Sequence, residues 1–271
     1  MERVAICGVG LIGGSFALAL RRAGFAGTLL GVSSERTIAE AVELGVVDRG
    51  ATLEEAAQTA DLIYLAQPIL KIIEGMPALG RMLGPQATVT DAGSTKAQIV
   101  AAMREYLPAG SYVGGHPMAG KETRGVRGAD AALFRGRTYV LTAEHWLRGW
   151  IEKMGARVVI LGPEEHDRAV AYTSHLTQLV ATALAGTVTR ALPGDEIQVS
   201  GPGLIDTTRL AQSSYDIWRD ILCTNRGPVD AALGEMIERL REMRAALGEN
   251  EAQFSEGAEL RRRIVRSVNL S

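Results

Sequence analysis

Short apolar runs alternate with stretches of helical length through the first half of the chain. Arg3–Cys7, Thr28–Val32, Asp61–Ala66, Ala87–Asp91, Tyr112–Gly115, Thr138–Thr142 and Arg157–Leu161 read as strands, and Leu11–Ala23 as the first helix. The strands are continuously apolar rather than alternating, as expected where helices cover both faces of a parallel sheet. This order predicts an α/β domain with a doubly wound, mostly parallel sheet. The pattern changes at Gly162-Pro163. Beyond it no strand is evident, and Glu164–Arg190, Arg209–Cys223 and Pro228–Leu247 read as helices. In the last, Leu233, Ile237, Leu240, Arg244 and Leu247 recur at spacings of three and four, giving an apolar stripe. The expected division is therefore residues 1–162 and an all-helical domain over 163–271. That domain carries more apolar stripe than one sheet domain covers, so it is expected to form a homodimer.

Composition narrows the function. Lys plus Arg is 29 and Asp plus Glu is 31, for a net charge of −2. No basic excess favours a nucleic-acid partner. Cys7 and Cys223 are the two cysteines, too few and too far apart for a disulfide framework or a Cys-based zinc site. No apolar run approaches the roughly 18 residues of a membrane span, and the N-terminus enters a strand at once, so no leader is expected. These features lead us to expect a cytoplasmic protein with no bound metal and no membrane partner.

Gly8-Val9-Gly10-Leu11-Ile12-Gly13 fits G-x-G-x-x-G between the first strand and first helix, the context that makes this motif informative. Gly8 permits the turn, Gly10 lets backbone approach a pyrophosphate, and Gly13 lets helix and strand pack closely. Amides at Leu11 and Ile12 would meet the phosphates at the helix N-terminus. The domain is therefore expected to be of the Rossmann type. An acidic residue after the second strand would select NAD. Here that position is Ser33, followed by Ser34, with Arg36 nearby. Hydroxyls and a guanidinium suit a 2′-phosphate, so NADP is the expected cofactor, with NAD possible. Ser34 also suits the N-cap of the next helix.

Of the four histidines, His116 stands out. It ends a strand candidate within Gly114-Gly115-His116-Pro117, and residues at the carboxyl ends of such strands face the ligand crevice. Flanking glycines allow a ligand or backbone to come close. His145 has no such context. Asp91-Ala92-Gly93-Ser94-Thr95-Lys96 ends another strand in the same way, where Ser94 is placed either to bond the imidazole or substrate or to cap the following helix.

Together, Gly114-Gly115-His116-Pro117-Met118-Ala119-Gly120, Asp91–Lys96, Ser174-His175-Leu176, Thr207-Thr208-Arg209 and Trp218-Arg219-Asp220 resemble the prephenate/arogenate dehydrogenases of tyrosine biosynthesis, in order and over nearly the whole chain. The resemblance implies NAD(P)-dependent oxidative decarboxylation of a cyclohexadienol, with hydride transfer to the nicotinamide and loss of CO2. It implies that His116 takes the hydroxyl proton, that Ser94 orients it, and that Arg209 binds a substrate carboxylate. It also implies an ionic cluster of Glu122, His175, Asp206 and Arg209 at the mouth of the site. The sequence departs from many prephenate-type members at Gln178, where they carry histidine. A neutral amide there can bond the keto side chain of prephenate and offers no charge to the ammonium of arogenate, which favours prephenate. Two rival readings are weaker. A β-hydroxyacid-type dehydrogenase depends on a lysine from its helical domain, and Glu164–Leu222 contains none. A non-catalytic NADP-binding protein has no need of His116, Ser94 and Arg209.

Overall fold

The computed structural model describes the backbone of residues 1–269 and side chains through Arg266. The chain divides into two compact units. The first comprises Met1–Asp167 together with Asp216–Thr224. The second comprises Arg168–Tyr215 and the residues from Asn225 on.

The first unit opens with β1 (Arg3–Cys7), α1 (Leu11–Arg22), β2 (Thr28–Val32), α2 (Glu35–Glu43), β3 (Arg49–Gly50) and α3 (Leu53–Thr59). It continues with β4 (Leu62–Leu65), α4 (Ile69–Met82), β5 (Thr88–Asp91), α5 (Ala97–Tyr106) and β6 (Tyr112–Val113). These strands form one parallel sheet in the order β3-β2-β1-β4-β5-β6. The order reverses between β1 and β4, which places a ligand crevice at their carboxyl ends. Apolar residues of both pleat faces are buried, which is why the runs do not alternate. Val4 and Ile6 of β1 join Leu62 and Tyr64 of β4 in one cluster with Phe16 and Leu20 of α1. Ala5 and Cys7 join Ile63 and Leu65 in the opposite cluster, with Ile72, Met76 and Ile99 from α4 and α5. Burial pushes the Cys7 thiol up to about 12, so this cysteine serves as core filling.

The later strand candidates do not extend this sheet. β7 (Gly115–Pro117), β8 (Thr138–Leu141) and β9 (Arg157–Ile160) form a separate three-stranded sheet, with β7 antiparallel to β8 and β9 parallel to it across α6 (Leu147–Lys153). The chain turns out of the first sheet at Gly114, between β6 and β7. Tyr139 and Leu141 then pack with Phe16 and Phe134 in the first cluster.

Helix α7 (Pro163–Val170) passes through a π-helical turn at Ala171–His175 into α8 (Leu176–Ala191). Then come α9 (Pro202–Thr208), α10 (Tyr215–Thr224), α11 (Arg226–Ala245) and α12 (Glu251–Asn269). The expected single helix over Arg209–Cys223 is interrupted. Arg209–Gln212 is a 3-10 turn, and Ser213 is extended before α10 starts. Two consecutive serines favour local hydrogen bonding over helix continuation.

The first unit also reaches beyond the expected division at residue 162. Residues 163–167 belong to it because Asp167 takes amides of α5, and α10 belongs because its polar side chains bond the same region. Asp220 accepts from the amide of Leu70 at 3.4 Å, and the hydroxyls of Thr224 and Thr95 are 2.8 Å apart. Trp218 and Ile221 pack into the second apolar cluster. Among the described residues no helix is long and apolar enough to cross a membrane.

The turn after β1 shows why its glycines differ. Gly8 has φ +95°, and a Cβ there would lie 2.7 Å from the carbonyl oxygen of Ala66. A Cβ on Gly13 would lie 2.2 Å from the carbonyl oxygen of Gly8, whereas one on Gly10 would meet nothing within 4 Å. Gly13→Ala is therefore expected to destabilise the protein by roughly 1–3 kcal/mol. Gly10→Ala should change stability by no more than about 0.5 kcal/mol. Urea unfolding of the two variants checks the contrast, which equal losses would contradict.

Candidate functional site

The turn at Gly8–Gly10 forms one wall of a cavity of about 510 Å3. Val32, Ser33 and Ser34 line it from the end of β2, Thr37 and Glu40 from α2, and Gln67, Pro68 and Lys71 from the β4–α4 junction. Gly125 and Val126 close it from a later loop. Of the eight cofactor-binding positions expected from sequence, Gly8, Gly10, Ser33 and Ser34 line this cavity. Gly13 acts by close packing, Leu11 and Ile12 stand in the first turn of α1, and Arg36 is exposed on α2 outside the lining. Lys71, Gln67, Gly125 and Thr37 were not singled out from sequence. Thr37 lies in α2 and Lys71 in α4, Gln67 and Gly125 in loops, with no motif to mark any of them.

The cavity suits a dinucleotide on physical grounds. Helix α1 begins at Gly10 with no side-chain cap and no acidic residue in its first turn. Its leading amides therefore keep their hydrogen-bonding capacity for an anion. The open space at Gly10 is where a phosphate could approach the backbone. Lys71 adds a cation to the wall. Ser33 is the first residue after β2, as the sequence suggested, so no carboxylate occupies the ribose-selecting position. Ser34 is the N-cap of α2, its hydroxyl 3.4 Å from the amide of Thr37. Glu40, the one acidic residue of the lining, pairs with Arg127.

His116 lies on β7, opposite Val140 of β8. The backbone of the preceding residue, Gly115, is held by the last residue of β5 and by Lys96. The amide of Gly115 donates to Asp91 Oδ1 at 3.0 Å, and Lys96 Nζ donates to the carbonyl of Gly115 at 2.7 Å. Lys96 Nζ also pairs with Asp91 Oδ2, which accepts from the amide of Gly93 at 2.7 Å. Both charged side chains are fully buried. Burial lowers the pKa of Lys96 and the Asp91 carboxylate opposes that shift. The two glycines before His116 serve backbone packing rather than ligand access. A Cβ on Gly115 would lie 2.6 Å from the carbonyl oxygen of Asp91, and one on Gly114 would crowd Val100 and Thr142. His116 thus lies near the carboxyl end of β5, within β7, rather than at the end of the strand candidate Tyr112–Gly115.

The imidazole of His116 is nearly buried. Its Nδ1 lies 2.8 Å from Nε2 of His166, whose Nδ1 lies 2.8 Å from Asp167 Oδ1. Asp167 in turn accepts from the amides of Lys96 at 2.6 Å and Ala97 at 2.9 Å, the N-cap and the first residue of α5. Asp167, not Ser94, therefore caps this helix. Ser94 is half-buried in the β5–α5 loop and, among the described residues, makes no side-chain hydrogen bond to His116. Sequence reasoning missed His166 and Asp167. In sequence they look like first-turn residues of a solvated helix, and their partners lie 50 and more residues away.

The second unit holds most of the other expected substrate residues. His175 ends the π-helical turn, is buried, and has Nδ1 at 3.1 Å from Nδ2 of Asn225. Gln178, one turn further on, donates from Nε2 to the carbonyl of Leu210 at 2.9 Å and to Thr182 Oγ1 at 3.2 Å, tying α8 to the turn that begins with Arg209. Its Oε1 is buried with no hydrogen-bond partner among the described residues. The Leu210 carbonyl accepts only, so the unused capacity of Gln178 is an acceptor, not the donor that the keto argument required. Asp206 and Arg209 are exposed, and no ion pair joins them among the described residues. Glu122, the fourth member of the expected ionic cluster, is exposed and belongs to the first unit. His145 is half-buried, with its pKa lowered by burial.

Comparison with known proteins accounts for both units. Residues 16–159 match the family model for the prephenate dehydrogenase nucleotide-binding domain, and residues 162–262 that for the prephenate dehydrogenase dimerization domain. The prephenate dehydrogenase of Lactococcus lactis is 31% identical over 96% of this chain and 77% of its own length. The cyclohexadienyl dehydrogenase of Zymomonas mobilis is 29% identical over 93% of this chain and 91% of its own. The crystal structure of Aquifex aeolicus prephenate dehydrogenase with hydroxyphenyl propionate and NAD+ superposes with a TM-score of 0.86 at 32% identity, covering 100% of this chain and 99% of that one. Synechocystis arogenate dehydrogenase superposes with a TM-score of 0.80 at 28% identity, covering 99% of both chains. With a glycine turn shaped for a dinucleotide, a histidine fixed at the carboxyl edge of the sheet and family models over both units, the chain belongs to the prephenate dehydrogenase family.

Proposed function

We propose that this protein catalyses the oxidative decarboxylation of prephenate to 4-hydroxyphenylpyruvate, uses NADP in preference to NAD, and works as a homodimer. The observation that carries the reading is His116. The Asp91–Lys96 pair holds the backbone of Gly115 beside it, and His116 Nδ1 lies against His166, so the imidazole is fixed near the carboxyl edge of β5. A base is needed there to take the proton of the ring hydroxyl as that carbon is oxidised, and imidazole titrates near working pH. The nicotinamide, when bound, supplies the two-electron acceptor. The bond to the ring carboxylate then breaks, CO2 leaves, and the ring becomes aromatic. Ser94, on the loop after β5, is assigned to orient the hydroxyl. Arg209 is assigned to a substrate carboxylate, for which a guanidinium fork is suited. Glu122, His175 and Asp206 are assigned to the mouth of the site.

The 2′-phosphate is assigned to the Ser33, Ser34 and Thr37 hydroxyls, with Lys71 lining the same cavity. Dimerisation is supported by the second family model and by exposed apolar side chains such as Val199, Ile205, Leu247 and Phe254 in the second unit. One observation favours a second reading, arogenate as an additional substrate. Gln178 offers a buried acceptor, which an ammonium satisfies and a keto oxygen does not.

Initial rates at 340 nm with prephenate and with arogenate, each with both cofactors, test the assignment. His116→Asn should keep cofactor affinity while turnover falls by a factor of roughly 10² to 10⁴. Near-normal turnover removes His116 from the chemistry. Arg209→Ala should raise the substrate KM by roughly 10- to 100-fold with a smaller effect on kcat. An unchanged KM ends its carboxylate role. Ser33→Asp should shift the kcat/KM ratio towards NAD by about tenfold or more. A ratio that stays put refutes the assignment of the 2′-phosphate.

A further inference from the structure

The line His116–His166–Asp167 has a direction, and it begins at the carboxylate. Asp167 gathers three N–H donors, the amides of Lys96 and Ala97 and the ring of His166. A carboxylate only accepts, so the atom of His166 facing it, Nδ1, carries the hydrogen. A neutral His166 then has its lone pair on Nε2, the atom 2.8 Å from His116 Nδ1. To bond that lone pair, His116 must carry its own hydrogen on Nδ1. The ring nitrogen left for proton transfer is Nε2.

We propose that His166 and Asp167 are positioning residues that fix His116 in its Nδ1–H tautomer and fix the plane of its ring, leaving Nε2 as the proton-accepting atom. The inference rests on the reading of His116 as the base. It adds what sets that base in its active form. His166 and Asp167 are buried, and so is the Asp91–Lys96 pair that clasps the backbone beside His116. The line is therefore sheltered from water that could offer alternative partners. Asp167 also lies at the N-terminus of the ten-residue helix α5, where the helix dipole favours a negative charge. One carboxylate thus orders a helix end and a ring tautomer together. When His116 takes the proton, the resulting imidazolium keeps its Nδ1–H bond to His166, so no side chain has to turn during the step.

The test reads the ring directly. Long-range 1H–15N correlation spectra of 15N-histidine-labelled protein, without cofactor or substrate and above the pH at which the rings titrate, report each tautomer. The His116 resonance is identified by its loss in His116→Asn. His116 is expected as the Nδ1–H form. Finding the Nε2–H form in the wild-type protein overturns the proposal. His166→Gln leaves the Asp167 cap on α5 in place but offers His116 either a donor or an acceptor. It should give a mixture of tautomers and a kcat lower by roughly 100-fold, with substrate KM and the thermal midpoint little changed. Asp167→Asn should show the same loss with a lower midpoint, because the cap is weakened too. A pure Nδ1–H signal and full kcat in His166→Gln would reduce the pair to a structural cap. The tautomer is read without substrate, so this failure is separate from failure of the base assignment, which full turnover by His116→Asn reports.

Discussion

The buried pair between Asp91 and Lys96 is the interaction on which the arrangement of the site depends. Two full charges out of water are costly, and their mutual attraction repays that cost only when the remaining donors and acceptors are filled. Here they are filled by the backbone. Asp91 receives the amides of Gly93 and Gly115 as well as the ammonium, and Lys96 reaches the Gly115 carbonyl. The pair therefore grips both sides of the residue before His116. A hydrophobic pair of the same volume could fill the space but could not hold the amide and carbonyl of a strand that leaves the main sheet at this point.

The carboxyl edge of a parallel sheet has a recurring polar problem. Each crossover helix starts there with amides that lack intrahelical partners. This protein answers it differently at each helix. Asp167 serves α5, Asp220 lies at the start of α4, and α1 is left without a side-chain acceptor. Where the chain supplies its own carboxylate, the helix end becomes a structural joint. Where it supplies none, the helix end can take an external anion. The uncapped end belongs to α1, beside the open face of Gly10 and the cavity that runs to Ser33. The distribution of caps is thus a physical map of which helix ends are for folding and which is for the ligand.

The assignment of α10 to the first unit follows from the same requirement. Its Asp220 and Thr224 serve the starts of α4 and α5, while Trp218 and Ile221 cover the apolar cluster beneath them. A segment some fifty residues beyond the last strand therefore completes the sheet domain. The π-helical turn ending at His175 buries that imidazole against Asn225, at the start of α11. Such turns widen a helix locally and re-aim its side chains, and they are common where a helix carries functional residues.

By itself the sequence determined what local physics determines. Continuous apolar runs located β1, β2, β4, β5, β8 and β9, because a strand covered on both faces leaves that record in composition. The glycine turn was legible because steric demands at Gly8 and Gly13 exclude other residues, and His116 stood out because a proline and two glycines constrain its backbone. What the tertiary structure decided rests on long-range pairing. Nothing local separates His166-Asp167 from a solvated first turn, or Lys71 from any surface lysine. The two glycines before His116 turned out to accommodate Asp91, Val100 and Thr142 rather than a ligand, and Gln178 turned out to offer its oxygen because its amide nitrogen is spent on Leu210 and Thr182. Hydrogen-bond partners 50 or more residues apart leave no periodicity in the chain, so only the folded structure could reveal how this site is held.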